Sequence, residues 1–246
     1  MDDATEHPYF RPLLGATVDP LPSGLVPART VLQGEHIRLE PLDPAIHADD
    51  LYAASHTTEE GLAIWTYLPQ GPWPDKAAYT AHLRGSAGSQ ERIYYALRPL
   101  PDGPASGHAS FMDIHAGDGV IEIGYIWFAP ALQRTRAATE AMYLMLDHAM
   151  TDLRYRRMQW RCNALNAKSR AAARRLGFRY EGTFYNHLIF KGLNRDTAWY
   201  SILDDEWPDV KARLEAWLAA DNFDADGKAK TSLSDAMRDR PTSRRG

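Results

Sequence analysis

The sequence predicts a mixed α/β domain built on one sheet with a single parallel step in its middle, and three observations predict it. Segments follow the order helix, hairpin, then strand–helix–strand–helix–strand. Val120–Phe128 (VIEIGYIWF) is β-branched and aromatic, and an amphipathic helix and a second alternating strand come after it. Of 246 residues, 44% are hydrophobic and 11% aromatic, enough for one large domain with a real core.

Each element has its own signal. Residues 1–30 carry five prolines and little periodicity, so they read as an extended leader strapped over the surface. His36–Leu42 alternates as a strand, and Asp43–Pro44 turns into a helix over Ile46–Ala54. A second helix is expected over Asp75–Arg84, ended by the flexible Gly85–Ser89 (GSAGS). Ile93–Leu97 and Gly107–Ile114 read as strands joined by a turn at Pro99–Pro104. After Val120–Phe128, Ala138, Met142, Met145, Leu146 and Ala149 form an apolar stripe at helical spacing. Met158, Trp160 and Cys162 alternate with Arg157, Gln159 and Arg161, a half-buried strand. A short helix, Ala167–Leu176, stops at Gly177. Strands near Gly182–Ile189 and Thr197–Leu203 precede a helix with Val210, Leu214, Trp217 and Leu218 inward. The domain thus spans 31–220, and 221–246, with Phe223 as its one aromatic, reads as a mobile tail.

Charge and cysteine content narrow the function. Lys+Arg number 28 and Asp+Glu 32, a net charge of −4 that is no general signature of nucleic-acid binding. Thr151–Arg175 nevertheless holds eight basic residues and one acid, Asp152, so the remaining chain carries −11. A basic patch on an acidic body suits a small polyanion better than a long phosphate backbone, although solvated faces would look the same. The single cysteine, Cys162, excludes an internal disulfide and a multi-cysteine metal site, and no metal is expected. No apolar run reaches the length of a membrane span and MDDATEH is no signal peptide, so a cytoplasmic location is expected.

Two segments carry chemistry. In the first, a strand ends at Phe128 and a helix begins near Arg136, with Gln133, Arg134 and Arg136 at its mouth. Unpaired N–H groups and the dipole there can hold a phosphate, or merely cap a helix. In the second, Asn166 is an N-cap residue, with Lys168, Ser169 and Arg170 in the first turn. Cations there oppose the dipole unless an anion lies nearby.

Together these motifs, QRTRAA at 133–138, NAKS at 166–169 and RLGF at 175–178, resemble the Gcn5-related N-acetyltransferase (GNAT) superfamily. The likeness is greatest to the branch of ribosomal-protein N-terminal acetyltransferases, the RimJ/RimL type, and covers Leu32–Leu218, including WTYLPQGPW and GLNRDTAWYSILDDEW. The resemblance implies the GNAT fold, a mostly antiparallel sheet of six to seven strands with helices on both faces. It implies acetyl-CoA as cofactor, held by backbone pairing along Ile123–Phe128. An N–H of Ile126 or Trp127 would face the thioester oxygen, and Phe128 would end the pairing stretch. The pyrophosphate would rest on the amides of Gln133, Arg134, Thr135, Arg136, Ala137 and Ala138. Asn166 would meet the pantetheine end, with Lys168 or Arg170 reaching phosphate. A homodimer is expected by analogy with related enzymes.

Departures from the family pattern matter equally. Arg136 stands where a glycine is usual, so its charge would compensate for a less close backbone. The tyrosine general acid common in the superfamily is Ala173 here. Ser169 occupies the slot of the serine general acid in the ribosomal-protein branch and is expected to protonate the departing thiolate. Glu122 lies where relatives carry a base or water-binding carboxylate, or it is a salt-bridge partner or a surface residue. The branch's other carboxylate is missing near His187–Leu188, where His187 or Tyr185 could substitute. Cys162 alternates inward with Trp160, which argues for core and against a covalent nucleophile, while His7 and His108 read as surface residues.

A magnitude selects the acceptor. An α-amine with a pKa near 7.7–8.0 is about one-tenth neutral at pH 7, whereas a lysine near 10.4 is neutral only about once in 2,500. A site without an obvious strong base therefore suits an α-amine: a peptide, a protein N-terminus, an amino acid or a dipeptide. Trp65, Tyr67 and Trp73 are expected along the acceptor groove, at least one of them as packing. A small antibiotic or metabolite amine as acceptor, and a CoA-binding module without turnover, are the alternatives.

Overall fold

The computed structural model describes residues 18–22 and 25–240. Eight strands form one sheet: β1 (Leu32–Gln33), β2 (Ile37–Pro41), β3 (Ile93–Pro99), β4 (Gly107–His115), β5 (Val120–Phe128), β6 (Arg157–Asn163), β7 (Arg179–Phe190) and β8 (Leu193–Leu203). Their spatial order is β1-β2-β3-β4-β5-β6-β8-β7, and only β5 and β6 run parallel. The strand beyond the expected six or seven is β1, whose two residues are too few for alternation to register. Seven helices accompany the sheet: α1 (Pro44–His56), α2 (Glu59–Ala63), α3 (Lys76–Ala87), α4 (Arg136–Asp147), α5 (Ala167–Arg175), α6 (Trp207–Leu218) and α7 (Leu233–Arg238).

Local chemistry sets the boundaries. Asp43 caps α1 by accepting from the Ala45 amide at 2.9 Å, with Pro44 at the first helical position. The expected stop at Gly85 comes late, because α3 continues to Ala87 and buries Ser86. One glycine costs a helix about 1 kcal/mol, which packing on the sheet outweighs. After Asp147, α4 continues as a π turn over His148–Asp152 that buries Ala149 and Met150. Gly177 ends α5 at φ 95°, where a Cβ would also lie 2.9 Å from Val210.

Alternation divides the sheet between two cores. Ile121, Ile123, Met158, Trp160 and Cys162 face the α4 stripe and the Val210–Leu214–Trp217 face of α6. On the opposite face, Tyr94, Ala96 and Trp127 meet Leu51, Tyr79 and Leu83 of α1 and α3, and Trp65 between them. Cys162 is buried as expected, and burial pushes its thiol up. His108 is not a surface residue: it is 3% exposed between Tyr94 and Trp127, and burial drives its pKa down to about 3. His7 lies outside the described residues.

The ends of the chain correct one expectation. The segment from Asp221 is not a loose tail through Arg240, because α7 buries Leu233 and Met237 in the larger core. Arg240 donates to the Gly177 carbonyl and pairs with Glu206 and Asp209. Two apolar residues one helical turn apart were enough to dock a helix too short for periodicity to reveal. Residues 241–246 lie outside the described residues. In the described part of the leader Leu25 is buried, its carbonyl accepts from the Tyr155 hydroxyl, and the Ala28 carbonyl accepts from Tyr95. Residues 1–17, 23 and 24 lie outside the description. Among the described residues no helix is long and apolar enough to cross a membrane.

Candidate active site

The site begins where the parallel pairing fails. β5 and β6 pair at Val120–Arg157, Ile121–Met158 and Glu122–Gln159, and no further. Beyond Glu122, β5 keeps its ladder with β4 while β6 keeps its ladder with β8 as far as Asn163. The two strands therefore splay, leaving a cleft in which the β6-facing side of Ile123–Phe128 has no strand partner. A crevice at the carboxyl ends of parallel strands is where open α/β sheets bind ligands. A bulge against β4 lies between Gly124 and Trp127, with Tyr125 at φ 51°, a conformation uncommon outside glycine. A Cβ at Gly124 beside it would sit 2.3 Å from Met112 Sδ, so that side chain would have to shift.

Because α4 follows β5 and α5 follows β6, both helix N-termini open on this crevice. Thr135 caps α4, its hydroxyl accepting from the Ala138 amide at 3.0 Å. The Gln133 amide donates to Ala129 and the Thr135 amide to Leu132. Of the six amides expected to hold a pyrophosphate, those of Arg134, Arg136 and Ala137 make no backbone hydrogen bond among the described residues. Arg134 turns the loop at φ 65°, and the Gln133 side chain closes it by donating to the Phe128 carbonyl at 2.9 Å. The Arg136 side chain, however, turns away from the role expected of it. Its guanidinium donates to the Leu218 carbonyl and lies 4.4 Å over the Phe223 ring.

At the second N-terminus, the Asn166 side chain caps α5 by accepting from the Ser169 amide at 3.0 Å. This occupies Asn166 Oδ1 and fixes Ser169 at the cleft. The Ser169 hydroxyl oxygen accepts from Trp160 Nε1 at 3.0 Å and lies against the Cys162 thiol. An accepted N–H leaves the hydroxyl's own proton to be donated. Arg170 is tied to the Tyr200 hydroxyl at 3.2 Å and the Ala164 carbonyl at 3.1 Å. Lys168 is exposed and makes no ion pair among the described residues. The basic stretch is thus dispersed: Arg157 pairs with Glu181, Arg161 with Glu122, and Arg175 reaches Thr139 and Trp217. Alternation sends the strand arginines to one sheet face and the helical ones to the other.

Glu122 is 3% exposed on the face opposite α4. Burial pushes its carboxyl up to about 7, against the downward pull of Arg161. Arg161 bridges Glu122 and Asp113 and stacks 4.8 Å over Trp199. Asp113 reaches it through a second β4 bulge, at φ 45°. Glu122 is thus a buried salt-bridge partner of Arg161, not a surface residue.

The acceptor residues expected from the sequence separate. Trp65 is 2% exposed, packed on Trp127 and Trp73, so it supports the wall without lining it. Trp73 stacks on His82 at 4.3 Å. Tyr67 is half exposed and donates to the Leu165 carbonyl at 3.3 Å, bridging to the α5 side. Tyr185 points into solvent at 78% exposure, away from any base role. His187 bonds Thr197 at 3.0 Å on β7, with two strands between it and Glu122. Alternation could not show either displacement, because both depend on the sheet order.

Residues not expected complete the site. The β7–β8 turn reaches across the open end, where Lys191 Nζ donates to the carbonyls of Trp65 at 2.7 Å and Gly71 at 2.9 Å. Arg92, Tyr94, Tyr125, His82 and Gln70 surround a cavity of about 310 Å³ at the β5 bulge. Their assembly depends on packing α3 over β3 and β5, which leaves no local motif.

Comparison with known proteins agrees with this geometry. Residues 36–179 match the acetyltransferase (GNAT) domain family. YdaF of Bacillus subtilis (strain 168), named provisionally as a ribosomal N-acetyltransferase, is 28% identical over 187 residues, covering 72% of this chain and 96% of YdaF. A GCN5-related N-acetyltransferase from Brucella melitensis is 40% identical, with a TM-score of 0.83 over 86% of this chain and 96% of its own. A GNAT-family protein from Chromobacterium violaceum ATCC 12472 is 36% identical, with a TM-score of 0.71, covering 80% of this chain and 99% of its own. The family match over more than half of the chain, with relatives this similar over most of their length, makes the chain a member of the GNAT family of N-acetyltransferases.

Proposed function

We propose that this chain transfers an acetyl group from acetyl-CoA to an α-amine, that of a peptide, a protein N-terminus, an amino acid or a dipeptide, in a ternary complex. The observation that carries the reading is the cleft itself: β5 parts from β6 after Glu122 just where two helix N-termini open. The residues present fit the cofactor. The β6-facing edge of Ile123–Phe128 offers its backbone to a pantetheine arm, and the amides of Arg134, Arg136 and Ala137 suit an anion. Asn166 and Lys168 stand at the other wall, with Arg170 held back by Tyr200. YdaF's provisional naming as a ribosomal N-acetyltransferase supports a protein N-terminus among these acceptors.

Acetyl-CoA supplies a carbonyl activated as a thioester. The protein's part is to position it, stabilise negative charge and move two protons. A backbone N–H of Ile126 or Trp127, on the strand beyond the last β5–β6 pair, is the oxyanion donor. Glu122 takes a proton from the amine, directly or through water, its carboxyl near 7 being suited to a base at neutral pH. The Ser169 hydroxyl, fixed by Trp160, gives its proton to the sulfur side. Direct transfer needs no covalent enzyme intermediate, and buried Cys162 is unsuited to one.

Calorimetric titration with acetyl-CoA, using dephospho-CoA as comparator, tests the cofactor. Binding near micromolar, about −8 kcal/mol, is expected, and none up to millimolar overturns the reading. A mass-spectrometric screen of α-amines against ε-amines and polyamines tests the acceptor. An ε-lysyl or polyamine substrate with equal or higher kcat/KM than every α-amine overturns that part alone.

A further inference from the structure

On the acceptor side of the sheet the cavity at the β5 bulge is lined by Arg92, Tyr94, Tyr125, His82 and Gln70. Its place ties it to the reaction. Tyr125 is the bulge residue itself, between Gly124 and Ile126, so its backbone belongs to the strand edge of the cleft while its side chain enters the cavity. The lining contains no carboxylate, and Arg92 is its one permanent charge. Arg92 makes no ion pair among the described residues, unlike Arg98, Arg157 and Arg161, which all hold carboxylates. Its guanidinium instead lies 5.0 Å over the Tyr125 ring, with the Tyr94 phenol in the same cavity lining. Stacking of this kind fixes the guanidinium plane and leaves its edge available. Two phenols and the Gln70 amide add neutral donors around it. A half-buried arginine, oriented by an aromatic ring, in no ion pair and attracted only at longer range by exposed Glu91, is an arrangement that can recognise a planar anion in two-pronged fashion.

We infer that this cavity receives the acceptor and that Arg92 recognises a carboxylate on it, within one or two residues of the amine. This deepens the α-amine reading and rests on it. The carboxylate can be the acceptor's own C-terminus, as in an amino acid or dipeptide, or an acidic side chain near a protein N-terminus. The chemistry at Arg92 is the same in both. A polyamine or an amine bearing a second cation is disfavoured by the same charge.

The test compares matched acceptors on the wild-type protein by thiol release, at about pH 8.5 so that differences in amine pKa matter little. One pair is Ser-Ala with a free carboxylate against Ser-Ala-amide. The other is Ser-Asp-Ala-amide against Ser-Asn-Ala-amide. At least one acid is expected to exceed its amide by about tenfold or more in kcat/KM, chiefly through KM, the size of one charge-assisted hydrogen bond. The favoured pair tells a small acceptor from an acidic N-terminus. In Arg92→Gln the acid-to-amide ratio should fall toward one, while Arg92→Lys keeps part of it. Acids and amides acetylated equally by the wild type, or a preference that survives Arg92→Gln, would overturn the inference and leave the transferase reading standing. Failure to acetylate any α-amine would overturn both.

Discussion

In the proposed reaction Glu122 and Ser169 carry the protons, and the contacts around them make separate predictions. Burial raises the Glu122 carboxyl from 4.5 to about 7, so the folded state holds that proton more tightly than the unfolded one. The stability it contributes is complete below the unfolded carboxylate range and is lost as pH climbs through about 7. In urea titrations the wild type should lose stability relative to Glu122→Gln between about pH 4.5 and 7. In kinetics, Glu122→Gln should lower kcat by about 10²–10⁴ and remove the rising limb near 7, leaving only the limb of the amine itself. An unchanged profile would leave Glu122 as a salt bridge to Arg161. Ser169→Ala should lower kcat more than acetyl-CoA affinity. It also strands the Trp160 indole N–H, at about 1–3 kcal/mol of stability by thermal melt. Both positions were legible in the sequence; Arg161 and Asp113 were not, because a bulge in a neighbouring strand brings Asp113 to the guanidinium.

At the scale of elements, the loop into α4 shows how a side chain can be read correctly for position and wrongly for direction. Arg136 opens the helix as expected, yet its charge serves Leu218 at the end of α6 and Phe223 in the segment beyond it. Arg136→Ala should therefore cost about 1 kcal/mol in a denaturation curve while leaving the salt dependence of acetyl-CoA binding unchanged. A reduced salt slope would return the arginine to the phosphate. The docking of α7 calls for the same treatment. Leu233 is 2% exposed, so Leu233→Ala should destabilise the protein by about 2–5 kcal/mol, as a core truncation does. An unchanged urea midpoint would mean that the segment folds apart from the domain. Long strands and the α4 stripe were legible because many residues repeat one period. A two-residue strand and a six-residue helix offer no period to read.

For the whole molecule, the order of elements was enough to place the parallel step, and with it the cleft. The second core was less legible, since His108 and Trp65 enter it from segments that look like surface and loop. The acceptor cavity lies where that core meets the bulge, so its chemistry follows from tertiary packing. The same packing sets the reach of the β7–β8 turn. Lys191→Met should weaken the union of this turn with the Trp65–Gly71 loop, raising KM for the acceptor more than for acetyl-CoA. Equal effects on both constants would assign the lysine to stability alone.

That lysine, together with the hydroxyl of Tyr67 on Leu165, converts an open notch into an eyelet. An eyelet is threaded by a loose end and refuses a fold in the middle of a cord. A chain terminus can pass its last residues through such a frame, whereas a lysine on the flank of a folded protein would have to bring the body of that protein with it. Choice among amines would then begin as a matter of shape, before any proton is exchanged.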